Sequence, residues 1–307
     1  MRLHSVESAI AAMMSLILAL TGIAGVASGA VPVIGTVIAK GTFRLDNATV
    51  TGNATLFEGA TIETRSAASR MELSTGARVS LGVDSKARFF GDHMILEKGE
   101  GRLEKAESFH FEAGGLIIQP ETGNATARVA LTGGAHVELA AISGSFRVLN
   151  SRGLLVANLG SGHALELEPQ TTETASKVTG TLRQVGLHYL LKDETTNVTV
   201  ELSGPGLAKE VGSRVEVTGH MDPSTTPVTD AAHFIRVTAV KHLGKGAPEK
   251  SGTAPAASGS ATTSAGHGIA LSATTIAVIG GVAVAATLGG LAAAGKLSGQ
   301  GSSSVSR

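Results

Sequence analysis

Apolar and polar residues alternate with a period of two along most of this chain. The alternation is clear in Thr42-Phe43-Arg44-Leu45, Ala60-Thr61-Ile62-Glu63-Thr64, Arg78-Val79-Ser80-Leu81, Ser108-Phe109-His110-Phe111-Glu112 and Ala164-Leu165-Glu166-Leu167-Glu168. It also runs through His136-Val137-Glu138-Leu139 and Phe146-Arg147-Val148. Successive side chains of a strand point to opposite faces, so such runs bounded by Gly, Asn or Asp predict half-buried antiparallel strands. No convincing helical period occurs before residue 268. The fold class this predicts is all-β. A short phrase recurs at Gly59–Thr64, Gly76–Leu81 and Gly134–Leu139, each time with glycine at the turn, where a positive φ costs little. The copies are irregularly spaced, which predicts a two-layer sandwich or a stack of short hairpins rather than a strict solenoid.

The alternation stops in four places, and these divide the chain. Residues 1–30 carry Arg2, an apolar run from Ile10 to Val26 and the small residues Ala27-Ser28-Gly29-Ala30. That pattern is an export signal cleaved after Ala30, with an uncleaved anchor helix as the alternative. A first β domain is expected over 31–169, and a polar Thr/Glu linker over 170–177. A second unit over 178–243 holds five short strands, which suggests a small Greek-key barrel of the OB type. Residues 244–267 are mostly Gly, Ala, Ser, Thr and Pro, the composition of a flexible tether.

Residues 268–295 change the picture most. From Ile269 to Ala294 there is no charged residue, and the length predicts one transmembrane helix. Gly281, Ala285, Gly289 and Ala293 recur every fourth residue, a small-residue face on which two such helices could pack. The lipid bilayer, through this helix, is therefore an expected partner, and a homo-oligomer formed through the same face is a further one. The tail 296–307 would lie on the cytoplasmic side, with Lys296 and Arg307 following the span. Localisation is expected to be exported and inner-membrane anchored, with the β domains in the periplasm.

Charge is balanced, with 25 basic and 25 acidic residues, so nothing points to nucleic acid as a partner. There is no cysteine, which excludes disulfides, thiolate metal sites and cysteine nucleophiles. With no Trp and one Tyr, aromatic stacking platforms are scarce. Catalytic motifs are absent: no nucleophile elbow, Ser-x-x-Lys, His-Glu-x-x-His or phosphate-binding Gly-rich loop. Gly204-Pro205-Gly206 reads as a turn. Ten histidines include His93, His110, His136 and His163 on separate strands or loops; pairing could bring His110 and His136 together, although solvent-facing histidines are the simpler account. Glu166 and Glu168 share one strand face, as do Arg214 and Glu216, and the carboxylate pair reads as a solvated edge. Asn47, Asn53, Asn124 and Asn197 each begin an Asn-x-Thr triplet, which reads as turn-to-strand sequence rather than as a glycosylation site. No catalytic, cofactor-binding or metal residue is expected, and no cofactor.

Three phrases carry a family resemblance: Leu56-Phe57-Glu58-Gly59-Ala60-Thr61-Ile62-Glu63-Thr64, Arg70-Met71-Glu72-Leu73-Ser74-Thr75-Gly76-Ala77-Arg78-Val79-Ser80-Leu81 and Ala141-Ile142-Ser143-Gly144-Ser145-Phe146-Arg147-Val148. Through them residues 34–168 resemble the FecR-type β ectodomain of bacterial extracytoplasmic proteins, with Ser145 where that family usually has Thr. In its signalling members an N-terminal cytoplasmic segment contacts a sigma factor and a single span leads out to the β domain. Here the export signal stands at that end. Residues 178–243 resemble an OB-like module in shape, which carries no activity by itself. The expectation is a non-enzymatic, membrane-tethered extracytoplasmic structural or binding protein that meets an unknown protein or the cell-wall polymer. A FecR-type signal sensor is the alternative, followed by a ligand-binding barrel or hydrolase.

Overall fold

The computed structural model describes residues 31–39, 41–105, 108–133, 135–170, 175–246 and 276–286. The described residues from Val33 onward form one compact unit. Its first part contains β1 (Val33–Ala39), β2 (Thr42–Leu45), β3 (Ala48–Thr51), β4 (Ala54–Phe57), β5 (Thr61–Thr64), β6 (Ser69–Leu73), β7 (Arg78–Leu81) and β8 (Lys86–Phe89). It continues through β9 (His93–Glu104), β10 (His110–Ala113), β11 (Leu116–Pro120), β12 (Thr126–Thr132), β13 (His136–Ser143), β14 (Phe146–Asn150), β15 (Leu155–Leu159) and β16 (Ala164–Pro169).

These strands form two facing layers. One has the order β3-β2-β5-β8-β9-β10-β11-β14-β15. The other runs β4-β1-β6-β7-β9-β12-β13-β16. Hairpins drop alternately into the two layers, so the stack grows along one direction as the chain proceeds. Inward residues of both layers meet in a single core holding Phe43, Phe89, Phe109, Phe111 and Phe146 fully buried. A chain poor in aromatics thus spends five of its eight phenylalanines here, where their large apolar area contributes most.

Strand β9 belongs to both layers. Lys98 still pairs with Lys86 in the first layer, whereas Gly99 pairs with Leu131 in the second. Gly99 has φ 82°, and a Cβ there would run into Ser85. Only glycine fits both the backbone conformation and the close approach.

Beyond the sandwich lie β17 (Ser176–Val185), β18 (His188–Lys192), β19 (Thr199–Ser203), a 3₁₀ turn (Leu207–Glu210), β20 (Ser213–Met221) and β21 (His233–Lys245). They close into a ring, β17-β18-β19-β21-β20 and back to β17, with β19 and β21 parallel. Closure gives every strand of the ring a partner on both sides, and leaves the start of β17 open to a further strand. Its interior holds Val178, Leu182, Leu191, Val200, Leu202, Val215, Val217 and Ile235, with Leu207 from the 3₁₀ turn packed among them. The strands begin and end slightly outside the bounds read from sequence. Ser176 and Lys177, expected in the linker, already belong to β17, and residues 244 and 245, expected in the tether, complete β21.

The transmembrane helix predicted over 268–295 is not what the chain forms. Its described part is a β-hairpin, β22 (Ile276–Ile279) and β23 (Val282–Ala286), and the remainder of 268–295 lies outside the described residues. Gly280 and Gly281 have φ 59° and 76°, the two positive values of a type I′ turn, which Gly-Gly supplies readily. The hairpin slots between the sandwich and the ring. β23 pairs with β16 from Leu165↔Ala286 to Pro169↔Val282, and Val278 pairs with Lys177 of β17. Val282 and Val284 enter the sandwich core, and Ile279 enters the ring core. One face of the hairpin is buried, through Ala277, Ile279, Val282 and Val284, while Ile276 on the other is half exposed; residues of both faces are apolar, and that composition is shared with membrane spans. Among the described residues no helix is long and apolar enough to cross a membrane.

Candidate functional site

Two places in the fold concentrate buried polar groups that the chain positions with care. The first is the junction around the Gly280–Gly281 turn. Asn150, at the end of β14, is nearly buried. Its Oδ1 accepts the backbone N–H groups of Arg152 and Leu154, both at 3.0 Å, fixing the β14–β15 turn. Its Nδ2 donates to the Gly280 carbonyl at 2.9 Å, and the Gly281 carbonyl accepts the N–H of Gln170 at 2.7 Å. Both carbonyls of the hairpin turn are therefore held by the sandwich. Clefts of about 430 and 280 Å³ open on the two sides of this turn. Arg152 and the two glycines border both; Ser151 and Gln170 face the first, His220 and Met221 the second.

Close by, β15 meets the ring. The N–H of Asn158 donates to the Thr196 carbonyl at 2.7 Å, and Leu155 packs against the ring core. His233, the first residue of β21, is buried and donates through Nε2 to the Leu155 carbonyl. Burial holds the His233 imidazole below its ordinary pKa, against the opposing pull of that hydrogen bond.

The second place is the outer face of β18 and β19. Glu201 alternates with the core residues Val200 and Leu202 and so points out of the ring, yet it is only 3% exposed. The loop joining β20 to β21 covers it. Its carboxylate accepts from His188 Nδ1 at 2.8 Å, the N–H groups of Val228 and Thr229 at 2.9 and 3.3 Å, and the Thr229 hydroxyl at 3.1 Å. Burial pushes the Glu201 carboxyl up, but the hydrogen bonds, that from His188 foremost, outweigh it and leave the pKa below the usual range. The same loop is anchored at its start by Asp222. That carboxylate accepts from the hydroxyls of Ser224 and Thr225 and from Arg236, and the Ser224 bond leads in holding its pKa low. Asp193 closes the β18–β19 loop by accepting from the N–H groups of Thr179, Thr195 and Thr196 and from the Thr196 hydroxyl. Burial raises its pKa despite these bonds.

The residues singled out from sequence are placed as follows. Gly281 is a turn residue, and Ala285 lies in β23 opposite Glu166. The two are therefore not one helix face, and Gly289 and Ala293 lie outside the described residues. Glu166 is not at an edge: β16 runs between β13 and β23, with Glu138 and Ala285 beside Glu166. Glu216 pairs with Lys177 at 3.0 Å, and Arg214 grips Glu194 with two nitrogens. His110 meets His93, not His136. Parallel pairing sets the two residues opposite each other and stacks their rings 5.1 Å apart, with Phe90 on the far side of His93. His163 caps a turn through Ser161. The Asn-x-Thr asparagines Asn47, Asn53, Asn124 and Asn197 each stand just before a strand.

Among the described residues no group of three or more His, Asp or Glu side chains is placed to hold a metal ion. Sequence reading passed over Asn150, Glu201, Asp193 and His233. Asp193 carried a signal, since Asp-Glu-Thr-Thr-Asn is a turn composition. Glu201 carried none, because in an alternating strand it looks like a solvent-facing residue.

No protein-family model matches the chain, and no curated protein matches it. One matching crystal structure is a candidate anti-sigma factor from Parabacteroides distasonis, 13% identical with a TM-score of 0.30. The match covers 35% of this chain and about half (54%) of that one.

Proposed function

We propose that this chain is an exported, non-enzymatic binding protein that presents an open sheet edge to an extended segment of a polypeptide partner. The carrying observation is the asymmetry of the sandwich. At its later end β16 is paired by the hairpin, and β15, which has β14 alone as a strand neighbour, is covered by the ring through Asn158 and His233. At its beginning, among the described residues, β3 and β4 each have a neighbour on one side only. Phe57 of the edge strand β4 is 41% exposed, and Val33, directly opposite it on β1, is 58% exposed. Soluble proteins shield free strand edges because their unpaired backbone groups recruit further strands. An edge flanked by exposed apolar side chains fits recognition by strand addition, with the backbone giving affinity and the side chains specificity.

The buried ionisable groups support a binding role over a catalytic one. Asp193, Glu201 and His233 are each occupied in holding loops or joining the two parts of the fold. The closed strand order β17-β18-β19-β21-β20 supports an OB-like reading of the ring, but its outer β18–β19 face is covered by the chain's own loop through Glu201, which favours the sheet edge as the docking surface. Export rests on residues 1–30. The FecR-like phrases lie on this same sandwich, Leu56-Phe57 forming part of the edge strand itself, which makes a signalling regulator the second reading.

A photo-crosslinking amino acid at Phe57 of the full chain, expressed in the organism that makes it, tests the edge. A single discrete polypeptide adduct is expected, lost when Val33→Lys is added and absent when the label sits at Leu187 on the ring. An adduct indifferent to Val33→Lys, or none at all, overturns the reading.

A further inference from the structure

We propose that the C-terminal hairpin exchanges between two copies of this chain, each hairpin filling the slot between β16 and β17 of the other. The partner surface is thus the chain's own slot. Among the described residues, every contact the hairpin makes outside itself is with chain far away in sequence. Five consecutive residues of β23 pair with β16, and one residue of β22 pairs with β17. Its turn carbonyls are held by Asn150 and Gln170. Its side chains divide between two cores, Val282 and Val284 in one and Ile279 in the other.

The 29 residues 247–275 separate the hairpin from the end of the ring. At roughly 3.3–3.6 Å per residue they span about 100 Å when extended, so the connection does not dictate which copy's slot is filled. A second copy offers the same ladder, the same carbonyl donors and the same two apolar pockets. Exchange therefore forfeits no contact, and concentration decides the outcome. The two strands also travel together: Ile276↔Ala285 through Ile279↔Val282 pair internally, so the hairpin keeps its own ladder in transit. An empty slot would leave β16 and the start of β17 as unpaired edges beside open apolar cores. Such edges are refilled by whatever matching strand is at hand, and the slot's register matches this hairpin.

The natural absence of cysteine makes the test clean. Glu166 and Ala285 lie opposite each other on neighbouring strands and are both partly exposed. Opposed strand residues have Cα atoms about 4.5–5.5 Å apart, within the roughly 4.4–6.8 Å span of a disulfide. Full-length Glu166→Cys and Ala285→Cys chains are mixed, unfolded in urea, refolded together over a range up to about 1 mM, the scale of the intramolecular effective concentration, and oxidised. The expected product is a covalent dimer linked 166 to 285, rising with concentration and lost when Val284→Asp is added to the Ala285→Cys chain. The Glu166→Cys/Ala285→Cys double variant, which leaves the choice to the chain, is expected to shift from monomeric to dimeric crosslinks over the same range. No 166–285 dimer at any concentration, with the double variant oxidising only within the monomer, overturns exchange. Failure of the double variant to oxidise in either way also overturns it.

Discussion

At the scale of single residues, the polar groups that matter are those the fold has taken out of water and then satisfied. Glu201 shows how far this goes. One carboxylate receives four hydrogen bonds from three residues, two of them on the covering loop. Such a group repays its desolvation only while its partners stay in place. Glu201→Ala strands the N–H groups of Val228 and Thr229 and should cost about 1–3 kcal/mol, read from urea denaturation. Limited proteolysis within 223–231 should accelerate in the same variant, while the sandwich stays resistant. An unchanged cleavage rate would show that Asp222 alone holds the loop. None of this was legible beforehand, because a glutamate between two apolar strand residues looks the same whether it faces water or a loop.

At the scale of elements, the hairpin turn is the sharpest case. The sequence Ile276-Ala-Val-Ile-Gly-Gly-Val-Ala-Val-Ala-Ala286 carries both a transmembrane signal in its hydropathy and a hairpin signal in its Gly-Gly flanked by β-branched residues. Hydropathy misleads because it averages over the run and ignores the turn, and the four-residue spacing from Gly281 to Ala285 imitates a helix face. Gly281 has φ 76° and open space where a Cβ would stand, so it isolates the backbone effect. Gly281→Ala should cost about 1–2 kcal/mol, the penalty for a left-handed L-residue. Gly281→Asn should cost less, since Asn tolerates that conformation. Equal losses for both would mean that the turn is not of this type. Ile279→Ala removes a fully buried side chain from the ring core and should cost about 2–5 kcal/mol. Calorimetry or urea unfolding would measure it, and a loss below 1 kcal/mol would place the hairpin outside that core.

At the scale of the whole molecule, one question is what joins the sandwich to the ring. The answer is β15 with His233 on one side and the hairpin on the other. His233 is kept neutral by burial, and His110 is likewise lowered, by burial first and then by the neighbouring His93. The unfolded chain therefore takes up these protons at a higher pH than the folded one. The contribution to stability is whole at neutral pH and is lost as pH falls below about 6.5, the ordinary histidine value. The urea midpoint should accordingly drop between pH 7.5 and pH 5.5, and His233→Gln should remove part of that drop while the amide keeps a donor for the Leu155 carbonyl. A midpoint independent of pH over this range would contradict the burial account.

The chain's own pattern determined that it would be β from β1 to β21, because a period of two is a local property that each strand carries by itself. It also determined where most strands start, through the glycine and asparagine turns. What the pattern could not decide was partnership between distant segments. His110 faces His93 because β9 and β10 run parallel, Glu166 is interior because a hairpin more than a hundred residues later lies beside it, and an apolar run expected in lipid finds its apolar surroundings inside the protein. Burial rewards any apolar neighbour equally, whether lipid tail or protein core; only the assembled sheets, with β16 and the start of β17 each offering a strand side to the hairpin, selected the second.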